Sequence, residues 1–297
     1  MRHLQKFLFL MGGILLTSAL FFVGCDGSSN KTSENQPQDK TIEIGLFNWA
    51  ENIAVSNMWK LLLEEKGYEV SIVTGDKSPV WTGVAQGDLD VHFEAWMPST
   101  DKPLWDEYAD TIEKHGPWFE GTALGLAVPS YVDIDSIEEL NDRRDELVYN
   151  NEAAIVGIDS GASLMKLTQQ AVKDYNLDYK LISSSGPVMS AAVTKAFDEQ
   201  EPIVATLWKP HWIFSKVDLK FLDDPKNIYG QNENIFFVTH ENFSDEHPQV
   251  LEWMQNWKMD DSSLGSLMAT IKDADSPEAG ARQWIEKNRD FVDAWFE

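Results

Sequence analysis

Residues 154–165 read Ala154-Ile155-Val156-Gly157-Ile158-Asp159-Ser160-Gly161-Ala162-Ser163-Leu164-Met165, and their order decides the fold class. The first five are apolar or small and make a short buried strand. Asp159-Ser160-Gly161-Ala162 interrupts the run with small residues, and residues 163–175 then space their apolar side chains as a helix does. A strand that passes through a tight loop straight into a helix is the repeating unit of α/β folds.

The same style of unit recurs on both sides of this stretch. Upstream, 41–46 alternates as a strand and 52–66 places Ile53, Met58, Trp59, Leu62 and Leu63 on one helical face. Gly67 stops that helix, 68–73 alternates as a second strand, and a short helix at 80–85 leads to a third strand at 90–96. Downstream, 180–183 and 203–208 read as strands and 189–199 as a helix, while 137–147 reads as a helix before the quoted strand. Two apolar runs, 124–129 and 235–239, are expected to cross between two such units, and helices at 248–257 and 277–295 close the chain. Strands that alternate with helices predict mostly parallel sheets. The expected architecture is therefore a two-lobed α/β clamshell with two hinge crossings. Residues 41–126 with 238–297 would form lobe 1, and 127–237 lobe 2.

Composition narrows the function. The 297 residues suffice for a sizeable core, and 43% hydrophobic residues exclude a wholly disordered chain. A formal charge of −25 repels phosphate backbones, so nucleic acid is not an expected partner. One Cys excludes a disulfide framework and a cysteine-rich metal site. The N-terminus carries Arg2, His3 and Lys6 before an apolar run over 7–23, the pattern of an export signal. The run ends in Phe22-Val23-Gly24-Cys25, which resembles the lipobox of bacterial lipoproteins, with Phe22 where Leu is usual. That resemblance implies cleavage after residue 24 and lipidation of Cys25. The alternative is an uncleaved membrane anchor, because the run approaches the ~20 residues a spanning helix needs. Either reading puts the body outside the cytoplasmic membrane, held to it through the lipid anchor or the anchor helix. Residues 26–40 are polar and predict a flexible tether.

Ligands of open α/β sheets sit beyond the carboxyl ends of the strands. Four expected strand ends carry Asn48-Trp49-Ala50-Glu51, Glu94-Ala95-Trp96-Met97-Pro98, Asp159-Ser160-Gly161-Ala162-Ser163 and Trp208-Lys209-Pro210-His211-Trp212. Three ends bear Trp, and an indole face attracts a poorly hydrated cation such as trimethylammonium by up to ~2 kcal/mol when desolvated. The fourth opens a helix, whose first amides suit an anion. Together these would fit a small molecule with a quaternary amine and a carboxylate. Trp59, Trp253, Trp257, Trp284 and Trp295 lie at helical positions and read as packing, whereas Trp81, Trp105, Trp118 and Trp212 stay open.

At these loops the chain resembles the substrate-binding proteins of ABC importers for glycine betaine and related compatible solutes. The matching stretches run from Asn48 to Ala54, Glu94 to Pro98, Gly157 to Met165 and Trp208 to Trp212, with Asp224-Pro225-Lys226 and Tyr229-Gly230 in support. The resemblance implies a periplasmic-binding-protein-like clamshell and no enzyme. It implies that Trp49, Trp96 and Trp208 box the trimethylammonium group, that the amides of Ser163 and Leu164 hold the carboxylate, and that the partner is an ABC permease at the cell membrane. Related members often carry a His five residues after the second Trp, where it donates to the carboxylate; here that position is Asp101, an acceptor. Asp101 and Glu94 near the box would turn the site toward a bare cation such as choline, unless Asp101 points to solvent. Glycine betaine stays the first choice.

No catalytic constellation emerges. Gly157-Ile158-Asp159-Ser160-Gly161 has Asp where the nucleophile elbow needs Ser. No metal or cofactor motif is present, and His240 and His247 read as loop residues. His211 reads as a packing residue beside the site. An exported hydrolase with scattered catalytic residues is the remaining alternative of a different class.

Overall fold

The computed structural model describes residues 40–297. The lipobox with Cys25 and all but the last residue of the tether lie outside the described residues. In chain order the elements are β1 (Thr41–Leu46), α1 (Ala50–Glu65), β2 (Glu69–Thr74), α2 (Lys77–Gln86), β3 (Val91–Met97), α3 (Lys102–Tyr108), β4 (Ile112–Glu120) and β5 (Ala123–Pro129). A 3₁₀ helix at Ile137–Arg143 precedes β6 (Val148–Tyr149), β7 (Glu152–Val156), α4 (Ser163–Asp174), β8 (Lys180–Ile182), α5 (Gly186–Asp198), β9 (Val204–Lys209), β10 (Leu219–Phe221) and β11 (Asn234–His240). The chain ends with α6 (Phe243–Glu246), α7 (Pro248–Asn256), α8 (Asp261–Lys272), α9 (Pro277–Lys287) and α10 (Arg289–Asp293).

The strands form two sheets, one per lobe. The first has the order β2-β1-β3-β11-β4 and the second β10-β5-β9-β7-β6, with β8 paired to β7. The units read from the sequence do pair in parallel: β1 with β2 and β3, and β7 with β8 and β9. Each sheet is nevertheless mixed. β11 runs antiparallel to β3 and β4, and β5 antiparallel to β9 and β10. The reason is connectivity: β11 and β5 arrive from the other lobe and insert against the direction that βαβ crossovers impose.

The two runs expected to cross between lobes do not cross. β5 pairs within the second sheet and β11 within the first, so the expected breaks at 126/127 and 237/238 fall inside strands. Their apolar character comes from a central place in a sheet. The chain passes between sheets at Gly121-Thr122 and again before Asn234, where the passages touch. Gly121 N–H and Thr122 N–H both donate to the Glu233 carbonyl, at 3.1 and 2.9 Å. Gly121 takes φ +85°, a conformation that any Cβ would strain.

Six elements are absent from the sequence reading: the short β6, β10 and α6, together with α3, β4 and α8. β4 contains Gly116 and Pro117 and pairs with β11 through register shifts, so it has no clean alternation. The short α3 has no buried residue to mark a face. α8 buries Leu264, Leu267 and Met268 and opens with a capping box between Asp260 and Ser263. Around α1 the first lobe is packed with aromatics: Trp118 stacks on Trp257 at 4.5 Å, and Trp59 meets Trp257 edge-on at 5.5 Å. Trp81 and Trp118, left open by the sequence, are core residues. His240 and His247 are also buried, against Phe243 of α6: His240 ends β11 and His247 leads into α7.

Candidate functional site

Three strand ends and one helix start meet between the lobes. Trp49 follows β1 at the N-cap of α1, Trp96 lies near the end of β3, Trp208 near the end of β9, and Ser163 begins α4. All four line one cavity, together with Leu164, Glu51, Lys77 and Thr100. The first lobe supplies Trp49, Trp96, Glu51, Lys77 and Thr100, and the second supplies Trp208, Ser163 and Leu164. The Trp49 and Trp208 rings approach to 6.3 Å between centroids, so the lobes are closed on one another at this point.

Each of the three cavity indoles donates to a carboxylate. Trp49 Nε1 donates to Asp159 Oδ2 at 2.9 Å, and Trp208 Nε1 donates to Glu51 Oε2 at 2.8 Å. These two bonds run between the lobes in opposite directions. Trp96 Nε1 donates to Glu94 Oε2 at 2.6 Å within its own strand, as the two-residue period of β3 requires. His211 meets the Trp208 ring edge-on at 4.7 Å while its Nδ1 accepts from Ile213 N–H, so it packs behind the cage wall. Burial pushes His211 down to about 3, leaving it neutral.

Glu51 and Glu94 are wholly buried. Burial pushes Glu51 up to about 8, and burial followed by the neighbouring Glu51 charge pushes Glu94 well above the ordinary carboxylate range. Near neutral pH the pair therefore does not carry two full negative charges beside the cage. One oxygen of each, Oε1, has no hydrogen-bond partner among the described residues. Beneath them His92, pushed down to about 4 by burial, rests between the carbonyls of Gly45 and Glu94.

The cavity also receives the first turn of α4. The Ser163 and Leu164 amides open α4, where no upstream turn supplies carbonyl partners. Residue 157 must be small: a Cβ there would meet the Ile182 carbonyl of β8 at 2.9 Å as well as the Met165 side chain of α4. Asp101 is fully buried, which excludes the solvent-facing alternative, and it does not itself line the cavity. Its Oδ2 accepts from Trp96 N–H at 2.9 Å, and Oδ1 forms an ion pair with Lys77. Lys77 Nζ also reaches Ser163 Oγ at 3.1 Å across the lobes.

The residues expected from the sequence thus converge: Trp49, Trp96, Trp208, Ser163 and Leu164 on the cavity, Asp101 one layer behind. Lys77, Glu51, Asp159 and Glu233 are absent from that expectation. Glu51 and Asp159 lie inside the quoted stretches, and their neighbours Trp49 and Ser160 were the available signal. Lys77 opens a helix 24 residues before Asp101, and nothing in the local pattern marks it. Glu233 is buried beside the crossings and accepts from the Ser99 and Thr100 amides, which fixes the loop after Trp96. The supporting stretch at 224–230 lies on α4 instead of in the cavity: Tyr229 N–H donates to Asp224 Oδ2 at 2.8 Å and Tyr229 OH to Thr168 Oγ1 at 3.2 Å.

Comparison with known proteins places the chain in a family. A family model described as the substrate binding domain of ABC-type glycine betaine transport system matches residues 40–287. The glycine betaine/carnitine transport binding protein GbuC of Listeria monocytogenes is 41% identical over 144 residues, which is 48% of this chain and 48% of that protein. The match thus spans about half the length of that curated relative. Lactococcal OpuAC, solved closed and complexed with glycine betaine, superposes with a TM-score of 0.80 at 32% identity over 87% of this chain and 100% of that one. The glycine betaine/L-proline-binding protein ProX from Borrelia burgdorferi gives 0.78 at 31% identity, over 86% of this chain and 96% of that one. A choline-binding protein in complex with choline gives 0.78 at 22% identity over 86% of this chain and 91% of that one, a likeness of fold.

Proposed function

The chain belongs to the family of substrate-binding domains of ABC-type glycine betaine transport systems, and from that premise we propose that it captures a quaternary ammonium osmolyte, glycine betaine first, and delivers it to an ABC permease. One observation carries the proposal: three indoles, each tied to a carboxylate, face one cavity that also receives the start of a helix. Three desolvated cation–π contacts of up to ~2 kcal/mol each would supply much of the ~8 kcal/mol that micromolar binding needs. Because the cage walls belong to two lobes, ligand would favour the closed state over an open one.

Choline is the second reading, favoured by the two buried acids behind the cage, Glu51 and Glu94. Calorimetric titration of the full chain with both ligands separates the readings. Tight betaine binding supports the first and tight choline with weak betaine the second. An absence of heat and of any tryptophan fluorescence change with either ligand sinks both.

Lipidation of Cys25 and a place on the extracytoplasmic face of the cell membrane complete the proposal, supported by the basic head, apolar run and lipobox-like end. No described helix is long and apolar enough to cross a membrane. Cys25→Ser should release the protein from the membrane fraction, and retention of that variant would favour the uncleaved anchor.

A further inference from the structure

A buried lysine at the cavity wall is the least expected feature of the site. Lys77 is the first residue of α2, and its side chain is 2% exposed. A cation at a helix N-terminus faces the positive end of the helix dipole, and burial adds a desolvation cost. Packing alone does not account for a charge in that position. Asp101 offsets both costs through the ion pair, and Asp101 is in turn held by Trp96 N–H.

Three groups close a ring across the cleft. Lys77 Nζ contacts Asp101 Oδ1 and Ser163 Oγ, and Ser163 Oγ donates to Asp101 Oδ1 at 3.3 Å. An ammonium has three N–H donors, and only these two acceptors are found for it among the described residues. The ring therefore leaves one donor over, on a lysine that lines the cavity together with Ser163 and Leu164. The same ammonium lies 5.4 Å from the Trp49 ring centroid, so it adjoins the cage.

Building on the quaternary ammonium reading, we propose that Lys77 is the specificity-determining residue of this site: its ammonium receives the ligand carboxylate together with the α4 amides, and Asp101 is the positioning residue that holds it there. Asp101 then does not turn the site toward a bare cation, because its charge is matched by Lys77. The ligand class is a compact zwitterion whose carboxylate lies close to its quaternary nitrogen. The ring includes Ser163 from the second lobe, so carboxylate recognition and lobe closure are one event.

The test compares glycine betaine with choline on the full chain, for wild type, Lys77→Gln and the double variant Lys77→Gln/Asp101→Asn. The double variant replaces the buried ion pair by two neutral amides and so avoids leaving Asp101 charged and unpaired, should Lys77→Gln alone fail to fold. Betaine affinity should fall tenfold or more in a folded Lys77 variant while choline affinity changes by less than about threefold, which is under ~0.7 kcal/mol. If wild type ignores choline, an unchanged thermal unfolding midpoint is the control that the variant is intact. Equal losses for both ligands, or betaine affinity unchanged, would overturn the assignment. A wild type that binds choline but not betaine also overturns it while leaving the cage intact. A wild type that binds neither ligand instead marks failure of the underlying reading, before any variant is made.

Discussion

Two groups of tryptophans in this molecule are buried alike and differ in what their N–H groups meet. Trp59, Trp118 and Trp257 fill the first lobe's core, stacked or edge-on against one another. The indole N–H groups of Trp59 and Trp257 have no partner among the described residues, and that of Trp118 donates to the Phe93 carbonyl. Trp49, Trp96 and Trp208 are between 3% and 8% exposed, so burial scarcely separates them from the core. Every one of them donates to a carboxylate, and two of those bonds run between lobes. Core indoles contribute by area and dispersion, which are non-directional. The indoles of Trp49, Trp96 and Trp208 are oriented by those directional bonds.

The largest effect that can break this comparison is on stability. Trp257→Ala should lower unfolding free energy by about 3–5 kcal/mol, as truncation of a packed aromatic core does, while the folded fraction keeps its ligand affinity; denaturant titration with and without betaine reads both. Trp208→Ala should do the reverse, with affinity down tenfold or more, ~1.4 kcal/mol, and a smaller change in stability. If both variants lose stability and affinity alike, the two groups are not functionally distinct.

A finer effect comes from Trp→Phe in the cage. Phe keeps a π face but cannot donate to Glu51 or Asp159, so Trp208→Phe and Trp49→Phe should each bind more weakly than wild type and more tightly than the Ala variant at that position. Affinities equal to wild type would show that the carboxylate bonds do not aim the rings.

The smallest effect is a pH slope. Glu51 is raised from 4.5 to about 8 by burial, so the folded protein keeps a proton that the unfolded chain loses. Stability from this group is therefore full below about pH 4.5 and declines as pH rises toward 8. A bound cation favours the carboxylate form, so quaternary ammonium affinity should rise with pH up to about 8, by less than tenfold per pH unit for one proton released. Glu51→Gln should flatten most of that slope; a wild-type affinity independent of pH between 6 and 9 would remove Glu51 from the cage's electrostatics. Core tryptophan variants should leave the slope untouched.

The convergence of Trp49, Trp96 and Trp208 on one cavity was legible because each stands at a recognisable strand end, and strand ends of α/β sheets face one side of the sheet wherever the chain leads next. The helix-start side of the cavity was legible in part. Gly157 through Leu164 announces a helix start, but the lysine beside it comes from residue 77, in another lobe and without a local signature. Glu51 was visible as a residue and not as a wall of the cavity, since its contact is with Trp208, 157 positions away. The strand β4 escaped notice because bulges destroy the alternation by which strands are read.

What the sequence determined by itself is local: the periods that make strands and helices, the small-residue loops that join them, the apolar head ending at Cys25, and the type of group that three tryptophans and a helix start can attract. What only the tertiary structure decided is pairing across long separations: which sheet β5 and β11 enter, that Asp101 is neutralised by Lys77, and that Glu51 and Asp159 aim indoles of the opposite lobe. The division has a physical cause. Secondary structure follows from steric and hydrophobic patterns within a few residues, whereas the charge state and direction of a buried group depend on partners brought to it by closure of the whole chain.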